Sequence, residues 1–233
     1  MSKFKFLSGA KIIEKKVKKE ALWTLRELIL QNDPGIKLIA GGPGSGKTML
    51  GLNLAAEWAI AGQDVAWFTD NRDTQSSSWE LEKIASHMRD RGQRVDTGLI
   101  RWFEMSVAMS IAGLVSSHSS NLIILDDIRM PPGEMLAMLN HLRRIIDGSN
   151  ATVILLSGTN RTRSGSTPVR GDLIYGTDFG AHIDHLSHGE MVLRLIKSRR
   201  FQNGTIVLEH DPKSGYLSPK SRHFEPEPRL INV

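Results

Sequence analysis

From Ile36 onward, short apolar runs alternate with longer stretches in which apolar residues recur at helical spacing. Residues 36–40, with Ile36, Leu38, Ile39 and Ala40, predict a strand, and 47–61, with Leu50, Leu52, Leu54, Ala55 and Trp58, predict a helix. A strand over 64–69 follows, then a polar loop and a helix near 78–90. A strand near 99–104 and a helix near 106–117 come next. The run Leu122-Ile123-Ile124-Leu125 reads as a buried strand closing on Asp126-Asp127. A helix at 132–147 and a strand at 152–157 continue the rhythm. This alternation predicts an α/β fold, a mostly parallel sheet sandwiched by helices. After residue 190 the pattern becomes two extended runs, 190–197 and 204–210, about Gln202-Asn203-Gly204, which predict a C-terminal β-hairpin.

Ahead of the first strand, Ile13, Val17, Ala21, Leu25 and Leu28 share helical spacing, with Lys15, Lys16, Lys18 and Lys19 between them. The turn Asn32-Asp33-Pro34-Gly35 ends this stretch. An amphipathic helix is expected, whose apolar stripe either packs on its own domain or docks on a neighbouring subunit. From Pro219 the chain, with Pro226 and Pro228, reads as an arm or a disordered tail. The chain thus divides into an N-terminal helix (1–34), a core (35–217) and a tail (218–233), with no internal repeat.

A length of 233 residues suits one α/β domain with short appendages. Hydrophobic content of 40% with 24% charged residues is that of a soluble globular chain. No apolar run approaches the roughly 18 residues of a membrane span, and no signal peptide is visible. No membrane partner and a cytoplasmic location are therefore expected. The absence of cysteine excludes disulfides and thiolate metal sites. A net charge of +5 favours a polyanionic partner.

Gly41-Gly42-Pro43-Gly44-Ser45-Gly46-Lys47-Thr48, followed by Met49, is a complete G-x-x-x-x-G-K-[ST] phosphate-binding loop between a strand and a helix. Its four glycines let the backbone curl so that successive N–H groups face an anion. The helix beginning near Lys47 adds its positive dipole end. A nucleoside triphosphate is the expected ligand, ATP or another NTP, with the Lys47 ammonium on its β- and γ-phosphates. Mg²⁺ is expected between the Thr48 hydroxyl and Asp126, the acid at the end of the later apolar strand.

Further along, Ser157-Gly158-Thr159-Asn160 ends a strand, where α/β sheets carry ligands. Thr159 or Asn160 is a candidate to sense the γ-phosphate or position water. The loop from Asn160 to Gly180 carries Arg161, Arg163 and Arg170 among Gly, Ser, Thr and Pro, a composition suited to gripping nucleic-acid phosphates. Lys197 and Arg199 are candidates to complete a neighbour's nucleotide site, as an arginine finger supplied in trans does. His182, His185 and His188 are spaced by three, which on a strand sends neighbours to opposite faces, so no metal site is expected there.

Together these pieces resemble the RecA-like motor domain of the DnaB-type hexameric helicases, with RecA and KaiC more distant, over Leu38 to Tyr216. Asp172-Leu173 followed by Tyr175-Gly176 and Ala181 resembles the segment that closes the central DNA-binding loop of those helicases. Lys197-Ser198-Arg199 followed by Gly204-Thr205-Ile206-Val207-Leu208 resembles their K-x-R finger and final strand. The resemblance implies a RecA-like P-loop ATP hydrolase that forms a ring, usually a hexamer, around single-stranded nucleic acid, DNA above all. In it Lys197 and Arg199 reach the next subunit's γ-phosphate, basic loops line the channel, and the N-terminal helix resembles a linker docked on an adjacent subunit.

Two departures stand out. The family carries a catalytic Glu just after the second strand, whereas this chain reads Thr69-Asp70-Asn71-Arg72-Asp73, with Asn71 at that place. Asn cannot act as a base, so either Asp70 or Asp73 substitutes or hydrolysis is slow. No primase-binding domain precedes the expected motor. Competing readings are a RecA-like recombinase or mediator forming filaments, and an AAA+ helicase loader, which Leu125-Asp126-Asp127 and Thr159-Asn160-Arg161 echo. A nucleotide-gated assembly protein with weak hydrolysis is the non-enzyme alternative.

Overall fold

Apolar runs rich in Ile, Leu and Val become strands, and their alternate side chains feed two separate cores. The computed structural model describes residues 24–30, 34–69, 74–104, 120–127, 132–148, 151–159, 171–185, 189–198 and 204–224. Strands β1 (Gly35–Gly41), β2 (Val65–Thr69), β3 (Ile100–Glu104), β4 (Leu122–Asp126) and β5 (Thr152–Gly158) lie where the sequence predicts them. Helices α1 (Leu25–Leu30), α2 (Lys47–Ile60), α3 (Thr74–Asp90), α4 (Pro132–Asp147) and α5 (Gly171–Gly176) pack around them. The remaining strands are β6 (Phe179–His185), β7 (Glu190–Ser198), β8 (Gly204–His210) and β9 (Leu217–Phe224).

All belong to one sheet, ordered β3-β2-β4-β5-β1-β6-β7-β8-β9. Pairing is parallel from β3 to β6 and antiparallel from β6 to β9. Ile39, Trp67, Ile124 and Ile154 face α1, α2 and α3, while Leu38, Phe68, Leu125 and Leu155 face α4 and α5. Parallel register sets Trp67 beside Trp102 and Phe68 beside Phe103, with ring centroids 5.3 and 4.8 Å apart. These aromatic neighbours hold β3 at the sheet's edge.

Two expectations change. The stretch expected to be loop through Gly180 contains α5 and the start of β6. In β6 only Phe179, Ala181 and Ile183 are apolar, and the polar residues between them disguise a strand with one core face. At the C-terminus, the expected arm or tail begins as β9, which pairs with β8. Pro219 is accommodated because β9 is an edge strand and the ladder shifts register at Val207/Leu208, opposite it. At the N-terminus, the described part of the expected helix is Leu25–Leu30, with Thr24 at its start. The Glu27 N–H donates to Thr24 Oγ1 (3.2 Å) and the Thr24 N–H to Glu27 Oε2 (3.0 Å), a reciprocal capping box. The resulting α1 packs on its own chain, against α2 and β9. Residues 11–23 of the expected helix, the helix expected near 106–117 and the tail beyond 224 lie outside the described residues.

Helix α2 is the hub. Asn53, fully buried, donates from Nδ2 to the carbonyls of Met49 and Gly215 (2.9 Å each) and accepts the Leu217 N–H on Oδ1 (2.9 Å). It thereby ties the helix to the β8–β9 turn with all its polar atoms paired. Asn53→Ala strands the Gly215 carbonyl and the Leu217 N–H. It is expected to cost roughly 3 kcal/mol in denaturant unfolding; a loss below about 0.5 kcal/mol contradicts this role.

Glu57, one turn on, accepts the N–H groups of Leu25 (3.1 Å) and Arg26 (2.6 Å) at the start of α1. Burial outweighs these hydrogen bonds and raises its pKa from 4.5 to about 7. Folding therefore favours the protonated acid: its contribution is full below the unfolded value and is lost as pH rises through about 7. The wild type should lose about 3 kcal/mol of stability from this group between those limits, and Glu57→Gln should flatten that slope in pH-dependent unfolding.

Candidate nucleotide site

The site forms where β1 ends and α2 begins. Gly44 (φ 70°) and Gly46 (φ 90°) adopt left-handed conformations that ordinary side chains resist, and Gly46 caps α2. A Cβ on Gly46 would also collide with Met191 of β7. The turn closes through the Ser45 N–H on the Gly42 carbonyl (3.2 Å). The first N–H groups of α2, at Lys47, Thr48 and Met49, point out of the helix end without intrahelical acceptors. Met49 offers only its backbone there, because its side chain packs against the core beside Gly215.

Lys47 Nζ donates to the carbonyls of Gly41 and Gly42, both at 2.9 Å, which holds the ammonium over the loop. Burial lowers its pKa, while Asp127 and Asp126 pull it back up. Thr48 Oγ1 donates to Asp126 Oδ2 at 3.0 Å. This contact spans the sheet, since β5 lies between β1 and β4. Asp126 is 6% exposed, and burial raises its pKa to about 6 against the opposing Thr48 hydrogen bond.

A hydroxyl and a carboxylate touching one another at the end of a phosphate loop fit Mg²⁺, which keeps water and takes few protein ligands beside substrate phosphates. The Ser45 and Thr159 hydroxyls, 7% and 8% exposed, have no hydrogen-bond partner among the described residues. Both belong to the loop and the strand end beside it, where the Thr159 N–H donates to the Gly41 carbonyl (3.2 Å).

Lys197 lies elsewhere. Its Nζ donates to the carbonyls of Ile174 (2.8 Å), Tyr175 (3.2 Å) and Thr177 (2.7 Å), at the C-terminal end of α5. A cation there complements the negative end of that helix. Sequence reasoning missed this contact, because the lysine and the carbonyls meet only once β7 pairs with β6. His182 Nδ1 sits 3.3 Å from Asp184 Oδ2, and His185 meets His210 edge-on at 6.0 Å. Among the described residues no three metal-ligating side chains come together. Asp70, Asn71, Asp73, Asn160, Arg161, Arg163, Arg170, His188 and Arg199 lie outside the described residues. Among the described residues no helix is long and apolar enough to cross a membrane.

Solved structures share this architecture. One, described as an ATPase domain, matches at TM-score 0.67 and 14% identity, over 91% of this chain and 97% of that one. A DnaB-like replicative helicase, described with its interactions with primase, matches at 0.63 and 13%, over 92% of this chain and 68% of that one. The RadB recombinase matches at 0.67 and 19%, over 84% and 96%. No protein-family model and no curated protein matches the sequence. The likeness shows the fold: this chain has the RecA-like α/β fold of DnaB-like helicase ATPase domains and of RadB.

Asp126→Asn removes the carboxylate charge that touches Thr48. It should weaken Mg²⁺-dependent binding of a fluorescent ATP analogue at least about tenfold while sparing metal-free binding. Equal weakening with and without Mg²⁺ would remove Asp126 from the metal site.

Proposed function

We propose that this protein is a Mg²⁺-dependent ATPase motor acting on single-stranded nucleic acid, DNA above all, as a ring-forming hexamer of the DnaB type. The contact between Thr48 and Asp126, at the mouth of a complete phosphate loop on a RecA-like sheet, carries the reading. The loop N–H groups and Lys47 bind the triphosphate of the substrate, and Thr48 with Asp126 holds the metal that neutralises it. For the attacking water, position in the chain nominates Asp70 or Asp73, and Asn160 the γ-phosphate contact. Arg161, Arg163 and Arg170 grip the strand's phosphates in the channel, where affinity falls with salt. Arg199, and Lys197 once it leaves the α5 carbonyls, reaches the neighbouring subunit's nucleotide. A cytoplasmic location accords with this role.

A filament-forming recombinase is the second reading, favoured by the equal TM-score of the match to RadB. Single-particle images with ATP separate closed rings from filaments. The assembly reading predicts negligible turnover even with Mg²⁺ and single-stranded DNA.

Under the ring reading, Arg199→Ala lowers ATP turnover by about 10³-fold and changes nucleotide affinity less than about threefold. Turnover in mixtures with Lys47→Ala subunits should then exceed that of either variant alone. Loss of nucleotide binding by Arg199→Ala would instead put Arg199 in its own subunit's site.

A further inference from the structure

Among the described residues, Asp127 alone adopts a positive φ (50°) without being glycine. Such backbone strain persists where the surroundings impose it, and it clusters at functional sites. Here the imposing contact is the Asp127 N–H, which donates to the Leu156 carbonyl of β5 (3.1 Å) after β4 has ended. The bend turns the carboxylate toward β5. Its Oδ1 lies 4.0 Å from where a Cβ on Gly158 would stand, and Gly158 is the register partner of Gly41, the first residue of the phosphate loop. A side chain at 158 would narrow the space between the acid and the loop.

Two further observations mark this edge as a place for a ligand. The hydroxyls of Thr159 and Ser45, each more than nine-tenths buried, have no hydrogen-bond partner among the described residues. The charges of Asp127 and Asp126 both act on the Lys47 ammonium of the loop. The carboxylate missing at Asn71 thus has a counterpart just past the end of β4, the strand beside β2.

We propose that Asp127 is the catalytic carboxylate that holds the attacking water, taking the place of the Glu expected at Asn71. This rests on the nucleotide-hydrolase reading above and replaces Asp70 and Asp73 in that role. The water oxygen forms a bond to the γ-phosphorus as the bond from phosphorus to the β,γ-bridging oxygen breaks. ADP leaves with that electron pair, and the water's proton passes to the Asp127 carboxylate and on to solvent. Thr159 supplies a hydroxyl beside the same water.

The test measures ATP turnover, Mg²⁺–ATP-analogue affinity and Tm for the full chain and for Asp127→Asn and Asp127→Gly. Both variants should lose turnover at least about 100-fold with affinity within about threefold of the wild type. Asp127→Gly should also keep or raise Tm, since glycine relieves the left-handed conformation. Wild-type-like turnover in Asp127→Asn overturns the assignment and leaves the hydrolase reading standing. So does loss of nucleotide binding parallel to the loss of turnover. A wild type that binds nucleotide without turning it over brings down the hydrolase reading and this proposal together.

Discussion

Helix α2 seats on the sheet only because Gly51 has no side chain: a Cβ there would lie 2.8 Å from both Leu156 and Trp67. That close approach governs much of the molecule. It brings the helix N-terminus down to the level of the strand ends, so that Thr48 reaches Asp126 across the intervening β5. It also leaves α2 covered on nearly every side, by the sheet beneath and by α1 and α3 above. A helix with so little exposed surface needs apolar residues all round, and Leu50, Leu52, Leu54, Ala55, Ala56 and Ala59 supply them.

From that seat α2 joins parts of the chain distant in sequence. Its first turn presents the N–H groups that follow the glycine-rich loop, Asn53 clasps the β8–β9 turn, and Glu57 caps α1. Arg26 of α1 lies 4.3 Å over the Trp58 ring, which secures the same contact from the other side. On the opposite face of the sheet α5 has its own tie, Lys197 reaching over from β7 to the helix's last carbonyls. The nucleotide loop and the antiparallel strands are therefore parts of one packed unit, through side-chain hydrogen bonds whose partners are buried or half-buried.

Much of this was legible before any coordinates. The phosphate loop, Lys47, Thr48 and the acid at the end of Leu122–Asp126 are local patterns whose chemistry depends on few neighbours. Strands such as 36–40 and 152–157 announce themselves because both faces are buried and nearly every residue is apolar. β6 did not, because it has one core face and one polar face, and β9 did not, because Leu217 alone of its described side chains belongs to the core and Pro219 read as the start of a tail. Nor did the capping box at Thr24 and Glu27, whose four-residue signal lay inside a longer stretch of helical spacing.

The sequence by itself determined the class of fold and pointed to a phosphate-bearing ligand. A glycine-rich curl before a helix presents N–H groups to phosphate wherever it occurs, and hydrophobic period separates strand from helix residue by residue. Only the tertiary structure decided which groups share the site. Inserting β5 between β1 and β4 sets the distance from Thr48 to Asp126, and the β4–β5 ladder twists Asp127 toward Gly158. Pairing β7 with β6 puts Lys197 on the α5 carbonyls. Such contacts join residues tens of positions apart, and their geometry comes from strand order and register, which no short window of sequence contains.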